Sequence, residues 1–169
     1  MFSLNVCNAE GHNKTIRNTK HCKGKVDVIF VLDSSSSVRA DGWTKELEFV
    51  SDVVKHFTVG PDHVQVGAVA FSYLGELLFN LKDHKSVAGI EKALKSARFI
   101  DSQSNIDKAL NVINSKKMFS KEHGGRPGVP KIVFIISDGP STDLPKSEFK
   151  VMRGCDLHVV GGSLKVVRF

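Results

Sequence analysis

Three short runs, VDVIFVL (26–32), VQVGAVAF (64–71) and KIVFIIS (131–137), are apolar at nearly every position. A strand with one wet face alternates apolar and polar residues. A strand-length run that is apolar throughout and rich in β-branched and aromatic residues is buried on both faces, as in a parallel sheet covered by helices. Between these runs the period changes. Residues 41–56, DGWTKELEFVSDVVKH, place Trp43, Leu47, Val50 and Val54 at spacings of three and four, one apolar stripe along a helix. HKSVAGIEKALKSARF (84–99) and SNIDKALNVINS (104–115) are further helices, with Ser104 or Asn105 placed to cap the second. ELLFNL (76–81) follows VQVGAVAF after a short SYLG turn and pairs with it as a hairpin. SKEHGGRPGVP (120–130) is an exposed loop by its Gly and Pro content, KSEFKVMRG (146–154) a short helix, and DLHVVGG (156–162) another strand. Strands alternating with helices predict an α/β, doubly wound, mostly parallel sheet with one antiparallel edge strand.

At 169 residues the chain has room for one domain with a core. No run approaches the ~18 apolar residues of a membrane span. The formal charge of +6 hints at a nucleic-acid partner, but its location does not. Lys14, Arg17, Lys20, Lys23 and Lys25 face only Glu10 within residues 1–25, and downstream the signs are mixed. No basic stripe is interleaved with aromatics, so nucleic acid is not expected as a partner. Residues 1–23 read as a flexible basic lead and 24–169 as the folded domain. Cys7, Cys22 and Cys155 are an odd count, fitting one disulfide and a spare thiol outside the cell or three reduced thiols inside. Asn13-Lys14-Thr15 is a glycosylation sequon, with meaning only in a secreted chain. Cys7, His12, His21 and Cys22 match no familiar zinc spacing.

The chemistry gathers at strand ends. In open parallel sheets, ligands bind beyond the carboxyl ends of the strands, where the first run delivers Asp33 and KIVFIIS delivers Asp138. Within DSSSS, the side chains of Ser35 and Ser37 share one direction and Ser34 and Ser36 the other. Ser104, just before a helix, starts at the same edge. Two carboxylates and three hydroxyls are hard oxygen donors, suited to Mg²⁺ or to Mn²⁺ or Ca²⁺. Neutral hydroxyls leave such a cation electron-poor, so a carboxylate from outside would complete its shell, an adhesive arrangement. Signatures of other chemistries (GxGxxG after the first strand, GxxxxGK[ST], GxSxG) are absent, and no histidine is tied by spacing to the serines. A metal-assisted hydrolase is the remaining enzymatic reading.

Asp33-Ser34-Ser35-Ser36-Ser37, Ser104 and Asp138-Gly139 resemble the DxSxS…T…D metal-ion-dependent adhesion site (MIDAS) of von Willebrand factor type A (vWA) domains. VDVIFVLDSSSSV, VQVGAVAFS, SNIDKAL and RPGVPKIVFIISDGPSTD follow that family's strands and loops in order, over roughly residues 24–162. The flavour is that of extracellular-matrix members such as matrilins, non-fibrillar collagens and invertebrate thread or shell proteins. The resemblance implies a Rossmann-like fold and a divalent cation on Asp33, Ser35, Ser37, Ser104 and Asp138. It also implies a secreted location and binding to matrix proteins such as collagen, with self-association or metal-independent structural assembly as the alternative. Three departures stand out. Ser104 replaces the usual threonine, Ser36 stands where glycine is common, and after LHVVGG the family's closing strand and helices are missing or atypical. SLKVVRF is a candidate edge strand in their place. Parallel strands starting near Cys22 and Cys155 would bring those two to one sheet edge. Cys22–Cys155 and Cys7–Cys22 pairings both stay open.

Overall fold

The computed structural model describes residues 24–137 and the strands Cys155–Val160 and Lys165–Arg168. The first apolar run forms β1 (Val26–Asp33), followed by α1 (Arg39–Lys55), β2 (Val64–Phe71), β3 (Gly75–Phe79), α2 (Val87–Lys95) and α3 (Ile106–Ser115). Then come β4 (Lys131–Ile136), β5 (Cys155–Val160) and β6 (Lys165–Arg168). The six strands lie in the order β3-β2-β1-β4-β5-β6. β1 runs parallel to both β2 and β4, and β4 parallel to β5. The expected α/β, mostly parallel, doubly wound sheet is therefore present. It has an antiparallel strand at each edge rather than one, because β6, within SLKVVRF, pairs with β5 as β3 pairs with β2. The helix expected over 146–154 lies outside the described residues.

Every residue of β1 and β2 is buried, as continuous apolar runs require. Alternation then sorts β1 between two cores. Val28, Phe30 and Leu32 pack with Trp43, Val50 and Val54 of α1 and Ile90 and Leu94 of α2. Ile29 and Val31 pack on the other face with Ala109, Leu110 and Ile113 of α3. Phe30 stacks on Phe134 of β4 at 5.5 Å between ring centroids, beneath the first layer. Burying each such aromatic is worth roughly 1.5–3 kcal/mol. Asp33 has the parity of Ile29 and Val31, so its side chain leaves the sheet on the α3 side.

The α1 helix starts from a strained turn. Arg39 has φ of 62°, in the left-handed region, whereas Ser36 is not among the residues with positive φ. Glycine is therefore favoured at position 39, not at position 36. Arg39 is exposed and reaches Asp41 only at 3.6 Å. Arg39→Gly is expected to stabilise the domain by about 1 kcal/mol, read as a higher urea midpoint with unchanged slope. A lowered midpoint would show that the arginine contributes more than its backbone strain costs.

Candidate metal centre

β1 turns to β2 on one side and meets β4 on the other, so the crevice beyond the ends of β1 and β4 is the sheet's topological switch point. Asp33 sits there, fully buried. Its Oδ1 accepts the Ser35 main-chain N–H at 3.0 Å. Its Oδ2 accepts the Ser137 hydroxyl at 2.8 Å and the Ser104 hydroxyl at 3.4 Å. The Ser35 and Ser37 hydroxyls lie 3.0 Å apart. Four of the five residues singled out in the sequence are thus joined by hydrogen bonds in two linked groups. Asp138 lies outside the described residues, as do Cys7, Cys22 and Asn13. Of Cys155 only the main chain is described, so no disulfide pairing is assigned.

The even serines have a different job. Ser34 Oγ accepts the Ile100 N–H at 2.7 Å, and the Ser36 main-chain N–H and hydroxyl both donate to the Ser102 carbonyl. Asp101 N–H donates to the Ser34 carbonyl, and Ser35 bridges Ser102 in parallel. Ser34 and Ser36 thus fasten the α2–α3 connection on which Ser104 is carried, while the Ser35 and Ser37 hydroxyls meet each other across the turn that follows β1. Phe99, its ring tilted against Trp43 at 6.5 Å between centroids, anchors that connection to α1.

Two partners of Asp33 were not foreseen from the sequence. Ser137 ends the β4 run, and its one signal is that both IISD and VLDS close an apolar strand with a hydroxyl next to aspartate. Glu46 of α1, 9% exposed, accepts the Asp33 main-chain N–H at 3.0 Å. The β1–β4 ladder ends at Leu32↔Ile136, so that N–H has no strand carbonyl and the glutamate supplies its acceptor. Its place in the α1 stripe reads as ordinary helix surface. Of the two residues expected to cap α3, Asn105 is the one at that position, without a side-chain bond, while the Ser104 hydroxyl turns to Asp33. Among the described residues no three His, Cys, Asp or Glu side chains gather as a metal site. The donors here are hydroxyls around one carboxylate.

A family model described as the von Willebrand factor type A domain matches residues 27–165. The chain is a vWA domain. A human collagen alpha-6(VI) chain is 31% identical over 81% of this chain, and mouse matrilin-2 is 32% identical over 72%. The vWA domain spans only 6% and 13% of those relatives. Among solved structures, proximal thread matrix protein 1 from the mussel byssus superposes with a TM-score of 0.74 at 28% identity, over 84% of this chain and 39% of that one. A second structure of the mussel protein has a zinc-occupied MIDAS motif, with a TM-score of 0.72 at 30% identity, over 83% of this chain and 36% of that one. The relatives that the vWA domain matches include extracellular-matrix and byssal-thread matrix proteins. No helix among its described residues is long and apolar enough to cross a membrane.

Proposed function

We propose that this vWA domain is an extracellular adhesion module. It binds matrix proteins, collagen among them, through a divalent cation held by Asp33, Ser35, Ser37, Ser104 and Asp138. The observation that carries this reading is the Ser35–Ser37 pair, with hydroxyls 3.0 Å apart beside buried Asp33. Hydroxyls around one carboxylate are hard oxygen donors, a set that suits Mg²⁺. The zinc in the mussel protein's MIDAS nevertheless makes Zn²⁺ a required comparison. When bound, the cation would attract an anionic group from the partner. Asp33 would supply charge, the serines neutral oxygens, and the bonds from Ser34 and Ser36 a rigid footing for Ser104.

The test is calorimetric titration of the whole chain with Mg²⁺ and with Zn²⁺, beside Asp33→Ala and the isosteric Asp33→Asn. Both variants should lose affinity by at least about 100-fold, beyond the 10–100-fold typical of groups that only orient a ligand. Capture of collagen should then be abolished by EDTA. Equal affinity in wild type and Asp33→Asn would refute the site. Collagen capture that ignores EDTA but needs residues 1–23 would favour metal-independent assembly instead.

A further inference from the structure

The most exposed large apolar side chains among the described residues are neighbours, Tyr73 at 59% and Leu74 at 62%. They form the tip of the β2–β3 hairpin, at the same sheet edge as Asp33. Phe71 of β2 pairs with Asp33, and the Ser34 N–H donates to the Phe71 carbonyl at 2.7 Å. Tyr73 is thus one strand across, about 5 Å, and at most about 7 Å further out, so its main chain lies within roughly 9 Å of that of Asp33.

Hairpin tips usually carry glycine, asparagine or aspartate, which tolerate turns and water. Here the tip is apolar and cannot fold back to bury itself. The Ser72 N–H donates to the Leu74 carbonyl at 2.9 Å, closing a tight turn. Gly75 then presses on α3 so closely that a Cβ would overlap the Lys108 carbonyl and the Val112 side chain. Ser104, which donates to Asp33, leads into the same helix. Hairpin tip, start of α3 and Asp33 therefore form one rigid platform, apolar at one end and carboxylate and hydroxyl at the other. Tyrosine is among the side chains on which protein interfaces concentrate their energy, and Leu74 extends its apolar surface.

Resting on the cation-dependent reading above, we propose that Tyr73 and Leu74 are the apolar subsite of the same binding surface. The occupant is an extended protein segment whose carboxylate meets the cation and whose large apolar side chain lies two or three positions away. Same-face side chains of an extended segment are about 7 Å apart at two positions, and about 10 Å separates residues three apart. That reach covers the distance from Asp33 to the tip.

Tyr73 is the chain's one tyrosine, so 3-fluorotyrosine labels this site alone. The probes are synthetic peptides in Mg²⁺, with Phe two or three positions after Glu in a glycine background, and matched peptides with Ser for Phe. The labelled protein should bind one of the Phe peptides at least tenfold more tightly than its Ser counterpart, with a ¹⁹F shift that the Ser peptide does not produce. In the unlabelled Tyr73→Ser, Leu74→Ser double variant that preference should vanish while Mg²⁺ affinity is unchanged. Equal affinity for Phe and Ser peptides, or no peptide binding by protein that does take Mg²⁺, overturns the subsite. Failure of the underlying reading is distinct: wild type and Asp33→Asn would then respond to Mg²⁺ alike.

Discussion

Arg126→Ala is expected to destabilise the domain by about 3–5 kcal/mol, although Arg126 lies in a loop rich in glycine and proline. Asp27, fully buried near the start of β1, is held by Arg126 alone among the described ion pairs. The Arg126 main-chain N–H and its Nε each reach Asp27 at 2.8 Å, and Nη2 lies at 2.7 Å. The same guanidinium donates to the carbonyls of Pro61, Val26 and His63. One side chain thus ties the β4 approach, the start of β1 and the α1–β2 connection together, using the planar fork that lysine lacks. Truncation leaves a carboxylate buried without its counter-charge, which is the costly way to break such a pair. Urea unfolding measures the loss. Replacing both partners, Asp27→Asn with Arg126→Met, should recover a large part of it through the coupling between them. A single-variant cost under about 1 kcal/mol would mean that water reaches Asp27 and that the clasp is dispensable.

Gly125→Ala should cost about 3 kcal/mol, for a neighbouring reason. A Cβ there would overlap the main chain of Phe119, and backbone cannot swing aside as a flexible side chain does. The Gly125 N–H also donates to the Ser120 carbonyl at 2.8 Å, so the loop is folded onto itself at that point. Displacing it moves Arg126, the next residue, off Asp27. Gly128→Ala is the control. Its φ of 71° is left-handed, but nothing lies within 4 Å of the added methyl, so only backbone strain of about 1 kcal/mol is expected. Equal losses at the two glycines would show that close packing at Gly125 is not what fixes the loop. A near-neutral Gly125→Ala would show that the loop relaxes freely.

Both predictions fall in 120–130, which is the exposed or half-exposed loop its composition indicates apart from buried Gly125, and what composition did not indicate is its structural role. Gly and Pro there indicate turns and, by extension, exposure. The turns are real: a 3-10 turn at Lys121–His123 leads to a left-handed Gly124. Yet this loop carries the arginine that neutralises a buried acid, and Asp27 within an apolar strand was the sign that such a partner had to exist. Which of the chain's 24 basic residues would supply it has no local signal, since Arg126 is 99 residues away along the chain.

What the sequence by itself determined is whatever depends on neighbours along the chain. Unbroken apolar runs specify strands buried on both faces, and period-3.6 stripes specify helices with one buried face. An apolar strand that ends in Asp33 and a row of hydroxyls is marked by the sequence as either a capped strand end or half of a metal site, and the choice needed residues far along the chain. Only the tertiary structure decided what depends on strand order. β4 lies beside β1 and ends one residue short of Asp33's level, which brings the Ser137 hydroxyl to Asp33 and leaves an N–H for Glu46. The hairpin tip is held outward by α3, which leaves Tyr73 and Leu74 in water beside the site. These meetings join segments that are remote in sequence. They are fixed by which strands pair and where each ladder stops, quantities that no local period encodes.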